Sequence, residues 1–184
     1  MQSLLALSRL IDAITARVGK AASWLVLVVV LISAGNAIVR KAFNFSSNAF
    51  LEIQWYLFSA VFLLAAAYTL QKNEHIRIDL LNSKLSPRGR AIVDMVCTLL
   101  FLVPTCLLLI KFGWPMFMNA WESGEMSSDA GGLVRWPAFL LIPVGFSLLL
   151  AQGCSEIIKR AAFLAGQGAD PAAGKADPHQ EEHV

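Results

Sequence analysis

Residues 21–39 read AASWLVLVVVLISAGNAIV, with no charged side chain among them. At 1.5 Å rise per residue such a helix is about 28 Å long, close to the roughly 30 Å hydrocarbon core of a bilayer. Three more segments have the same character, at about 50–70, 91–110 and 136–152. Lipid offers no partner for free backbone N–H and C=O groups, so a spanning segment of this length must be helical. The whole chain agrees: 57% of its 184 residues are hydrophobic and 15% are charged, against about 25% charged in soluble domains. The predicted fold class is therefore all-α integral membrane, with a four-helix transmembrane domain over residues 21–162. Pro143 and Gly145 are expected to kink or open the fourth span.

The basic residues orient the spans. Arg9, Arg17 and Lys20 precede the first; Lys72, Arg77, Lys84, Arg88 and Arg90 lie between the second and third; Lys159, Arg160 and Lys175 follow the fourth. Only Arg40, Lys41, Lys111 and Arg135 lie in the other two connections. Eleven against four places both termini in the cytoplasm by the positive-inside rule. Trp55, Trp114, Trp121 and Trp136 then fall near the outer interface and Trp24 near the inner one, as aromatic belts require.

Outside the spans, Leu4, Leu7, Ile11, Ile14 and Val18 recur every three or four residues, with Arg9, Asp12, Thr15 and Arg17 on other faces. Residues 1–20 are expected to form an amphipathic helix in the cytoplasmic interface, before the chain turns inward. The first span follows this leader with no small-residue cleavage site, so it is expected to be retained rather than removed as a signal peptide. The stretch 75–85 mixes Ile76, Ile78, Leu81 and Leu85 with charges and is expected to rest on the same surface. Ser86 and Pro87 read as N-cap and first helical residue of the third span. Residues 163–184 are rich in Gly, Ala, Pro, Asp, Glu and His without apolar period, the composition of a disordered cytoplasmic tail.

Polar groups within or beside the spans are few. Glu52 and Gln54 begin the second span. Glu52 is either a charge matched to a helix N-terminus or a polar contact to another membrane helix. Asp94, early in the third span, reads as an N-terminal helix charge, and Lys111 as a snorkelling one. His75, Arg77 and Asp79 alternate with isoleucines. His75 and Asp79 share a helical face at i, i+4, but two ligands without further His or Cys nearby fall short of a metal site. Glu52, Gln54, His75, Arg77 and Asp79 are accordingly candidate subunit-interface residues. The connection 111–135 holds an aromatic block from Trp114 to Trp121 and then an acidic Gly/Ser-rich stretch. It is either an interfacial helix with a flexible loop or a docking surface whose candidates are Trp121, Glu122, Glu125, Asp129 and Arg135.

Several chemistries are absent. No histidine lies in a span to ligate haem. Cys97, Cys106 and Cys154 sit in or beside apolar segments and read as buried small hydrophobes. There is no metalloprotease H-E-x-x-H and no phosphate-binding glycine loop. Neither an enzyme, a resident cofactor or metal, nor a nucleic-acid partner is expected.

Taken in order, N-A-I-V-R at 36–40, Glu52, H-I-R-I-D at 75–79, S-G-E-M-S-S-D-A-G-G-L at 123–133, R-W-P at 135–137 and I-P-V-G-F at 142–146 resemble the small membrane subunit of TRAP transporters, the DctQ-like family. The outer-loop and W-P…P-x-G pattern is similar to the branch labelled mannitol/chloroaromatic-type. The resemblance covers about residues 5–162; the acidic, histidine-bearing tail is not a family feature. It implies a tripartite system of a bacterial or archaeal cytoplasmic (inner) membrane. A periplasmic substrate-binding protein delivers an organic acid or similar anion to a large multi-span subunit driven by a sodium gradient. The small subunit is its scaffold and helps dock the binding protein, and the substrate and sodium sites belong to the large subunit. The chain also lacks the broken helix pairs and midplane polar cluster of a stand-alone transporter. The alternatives are a self-sufficient small homo-oligomeric transporter or channel, and a membrane anchor for another complex.

Overall fold

The structure is a computed structural model that describes residues 2–44, 47–73 and 85–168. It contains four long helices: α1, Gln2–Phe43; α2, Asn48–Lys72; α3, Pro87–Ser123; and α4, Trp136–Leu164. All four are long and apolar enough to cross a membrane. α1 packs against α2 and α4, α2 also packs on α4, and α3 packs on α4. α4 is thus the central helix, and its apolar window is 28% buried within the chain against 6% for α2 and α3. Most of the remaining spanning surface is open to lipid or to another protein.

The boundary expected near residue 20 is not there. One unbroken helix runs from the leader through the first span, 42 residues or about 63 Å. Gly19 sits within this helix. It lies where Tyr68 of α2 crosses α1, and a Cβ at position 19 would overlap Tyr68 Cβ and Cγ. The glycine serves close helix approach, as small residues do between membrane helices. The leader therefore does not lie apart from the bundle. Its polar face, Ser8, Asp12 and Thr15, packs inward, with Ser8 and Thr15 at most 1% exposed, while Leu7, Leu10 and Ile14 face outward.

Other crossings use the same device. Gly145 of α4 meets Leu63 of α2, where a Cβ would lie 2.8 Å from Leu63 Cβ. Gly113 of α3 faces Ile142, and Gly153 faces Leu102. Pro143 and Gly145 are both buried inside the single helix α4. Ser33 and Ala37, a small-xxx-small pair in α1, are exposed instead and take no part in packing within the chain. Substituting Gly19 with alanine should cost about 1–3 kcal/mol of stability through overpacking. Gly35, where an added methyl group would meet nothing within 4 Å, is the control: Gly35→Ala should be neutral or stabilising through helix propensity. Denaturant titration of both variants in mixed micelles checks the contrast.

α3 begins as its sequence predicts: Ser86 caps it by accepting from the Gly89 N–H at 3.2 Å, and Pro87 is the first helical residue. It continues far past residue 110, to Ser123, so the aromatic block is helix rather than connection. A π-helical turn at Thr98–Leu102 precedes Pro104. Proline has no N–H and crowds the carbonyl four residues back, and one wider turn relieves both. Of the cysteines, Cys106 is buried but Cys97 and Cys154 are exposed on their helices. The surface stretch expected at 75–85, including His75, Arg77 and Asp79, lies outside the described residues apart from Leu85, as does the tail beyond residue 168.

Candidate docking site on the loop between α3 and α4

The loop 124–135 is a small clasped hairpin, and its own sequence explains the fold. Gly124 ends α3 with φ +62°, the left-handed setting that glycine adopts without penalty. Met126 and Val134 form an antiparallel bridge. The Ser127 N–H donates to Leu133 O and the Arg135 N–H to Glu125 O, both at 2.9 Å. Between them the Gly132 N–H donates to Asp129 O at 3.0 Å. Gly131 takes φ +73°, and a side chain at Gly132 would collide with Ser127 and Glu52. Arg135 Nη1 closes the neck on Glu125 Oε1 at 2.7 Å, and the guanidinium stacks 5.4 Å from the Phe139 ring centre.

α2 holds this hairpin from the side. Asn48, Glu52 and Tyr56 recur at i, i+4, i+8 and so share one helical face. Asn48 Nδ2 donates to Ala130 O at 3.0 Å, and the Tyr56 hydroxyl donates to Val134 O at 3.2 Å. The Glu52 carboxylate lies between them: one oxygen accepts from the Ser127 hydroxyl and the other from the Leu133 N–H at 2.6 Å. Glu52 is therefore not a bare dipole charge. It latches the chain's own loop. Gln54 bonds back to Phe50 O of its own helix at 2.7 Å.

The aromatic block anchors the same end. Trp121 meets Trp136 edge-on, with ring centres 4.7 Å apart, and Phe117 lies 5.6–6.4 Å from Trp114, Trp121 and Trp136. Such T-shaped pairs contribute about 0.5–1.5 kcal/mol beyond their buried area, and here they tie the top of α3 to the start of α4. Around the clasp Glu122, Asp129 and Met126 stay exposed, and Trp121 is 55% exposed. Of the residues predicted from sequence, the structure thus gathers Glu52, Trp121, Glu122, Glu125, Asp129 and Arg135 at one end. Asn48 and Tyr56 belong with them. Their spacing with Glu52 was the available signal, but it has meaning only once the loop is known to fold back onto α2.

This arrangement holds and presents a surface; it has no reactive constellation. Among the described residues no group of three or more His, Cys, Asp or Glu could hold a metal. Residues 29–163 match the family of the DctQ component of tripartite ATP-independent periplasmic transporters. A protein of Haemophilus influenzae assigned as a TRAP transporter small permease protein is 32% identical over 123 residues, 66% of this chain and 76% of that protein. No solved structure matches the chain. The matched region takes in α2, the clasped loop, α3 and nearly all of α4, and the chain belongs to the DctQ family as the small permease component of a TRAP transporter, a membrane transport protein and not an enzyme.

Proposed function

We propose that this chain is the scaffold of a sodium-driven TRAP transporter for an organic acid or similar anion, and that its α3–α4 loop is a periplasmic landing surface for the substrate-binding protein. The observation that carries this reading is the latch: α2 spends three polar side chains on fixing a loop that a mere connection would not need fixed. A pre-ordered surface loses less entropy when a partner docks on it. The exposed acidic rim, Glu122 and Asp129, would steer encounter, and Trp121 would prolong contact. Glu125 acts differently, through the neck pair with Arg135. The large multi-span subunit, implied by the tripartite family, would cover part of the open helix faces and carry the substrate and sodium sites. The outer-loop and W-P…P-x-G pattern supports the mannitol/chloroaromatic-type branch.

The orientation rests on the charge asymmetry, with both termini cytoplasmic in a bacterial inner membrane. A reporter active only in the cytoplasm should work when fused after Arg160 and be silent at Gly124; the reverse pattern would put the loop on the wrong side for docking. The docking role is tested in vesicles holding the assembled large and small subunits. Glu122→Ser/Asp129→Ser should lower uptake several-fold at limiting binding protein and little when binding protein is in excess. Wild-type uptake at every concentration would remove the rim from the docking surface.

A further inference from the structure

At the opposite end of the bundle, five charged side chains from three helices alternate in sign. Asp12 of α1 pairs with Lys159 of α4 at 3.1 Å, and Lys159 also pairs with Glu156. Glu156 binds Arg160 Nη1 at 2.6 Å, and Arg160 reaches Asp94 of α3 through Nη2 at 3.1 Å and Nε at 3.2 Å. Gln152 and Ser155 add bonds to Asp12 Oδ1 at 2.8 and 2.9 Å, and the Ser8 and Ser155 hydroxyls meet at 2.7 Å. Glu156 and Arg160 are only 6% and 7% exposed. Gln152 lies sixteen residues, about 24 Å, along α4 from Trp136, which puts the row near the far edge of the hydrocarbon.

Lipid is as apolar as the helix faces, so burial against another helix brings little hydrophobic gain, and the setting of a helix depends on close packing and on polar contacts. A paired charge is such a contact. Turning α1 by one residue, about 100°, would carry Asp12 off Lys159, Gln152 and Ser155 together, and its half-buried carboxylate would lose all three partners at once. We propose that Asp12, Lys159, Glu156, Arg160 and Asp94 form a brace that locks the α1 leader and the start of α3 to α4 in one rotational setting. α4 is the hub, and each flanking helix is held by one end of the row. The brace is a property of this chain alone and does not depend on the docking role of the loop.

The test uses spin labels at positions 9, 88 and 167, all exposed, in a full-length chain with Cys97, Cys106 and Cys154 replaced by alanine and reconstituted in nanodiscs. Asp12→Leu should widen the 9–167 distance distribution at least twofold and leave 88–167 unchanged. Asp94→Leu should do the converse. Both carboxylates are partly exposed, 24% and 22%, so the variants should fold. Unchanged widths in either variant, or widening of both pairs together, would overturn the brace. Should the cysteine-free chain not fold, hydrogen exchange on the native-cysteine chain reads the same dissociation. Residues 2–20 should exchange about tenfold faster only in Asp12→Leu, and residues 87–97 only in Asp94→Leu; uniform or absent acceleration rejects the proposal.

Discussion

Replacing Glu156 with leucine is expected to lower the stability of the purified subunit by about 3–5 kcal/mol, the usual loss when one partner of a buried ion pair is removed. Glu156 is the shared anion of Lys159 and Arg160. Without it Arg160, 7% exposed, keeps Asp94 but loses the carboxylate beside it in its own helix. Combining Glu156→Gln with Arg160→Met should cost less than Glu156→Leu alone. Lys159 would still have Asp12, and both members of the buried Glu156–Arg160 pair leave together, whereas Glu156→Leu keeps a buried guanidinium with Asp94 as its one remaining carboxylate in this row. Denaturant titration in mixed micelles orders the two variants. If the double variant is the less stable, packing rather than charge pairing holds this end together.

The second large effect is expected at Glu52. Its leucine variant removes both acceptors that hold the α3–α4 loop, leaving the Ser127 hydroxyl and Leu133 N–H to find water. The hairpin's own bridge, the Glu125–Arg135 pair and the Asn48 and Tyr56 bonds to the loop remain, so the loop should loosen on α2 rather than unfold. Limited proteolysis within residues 124–135 should accelerate by about an order of magnitude or more, given that hydrogen bonds to charged groups are among the strongest in proteins. Glu52→Gln, which keeps one acceptor, should lie between. Uptake at limiting binding protein should fall with loop order, while co-purification with the large subunit should be retained. Loss of co-purification with an intact loop would return Glu52 to the subunit interface.

The four spans, the cap at Ser86 and Pro87, and the aromatic block were all readable from the chain. Each depends on local composition: a run of apolar residues long enough to cross lipid, or a short capping pattern whose partners lie three residues apart. The helix ends were less readable. α3 runs on to Ser123 because Pro115 lies within it without ending it and the next terminator with a positive φ is Gly124. α1 runs through residue 20, and Gly19, a residue that often marks a turn, is used there for packing against Tyr68.

The membrane class, the four long apolar segments and the family motifs are therefore legible along the chain, since hydropathy and motif order are properties of neighbouring residues. The partner of each polar group, by contrast, emerges only from how the helices pack. Asp94 looks like an ordinary helix N-terminal charge until Arg160, 66 positions away, is seen against it. Glu52 shows no partner along the chain until the loop 75–81 positions onward folds back to it. Asp12 looks like the solvated face of a surface helix until α4 brings Gln152, Ser155 and Lys159 alongside. In lipid a charge must find a partner, but the sequence states only that need; which partner meets it depends on which helices pack together and at what rotation.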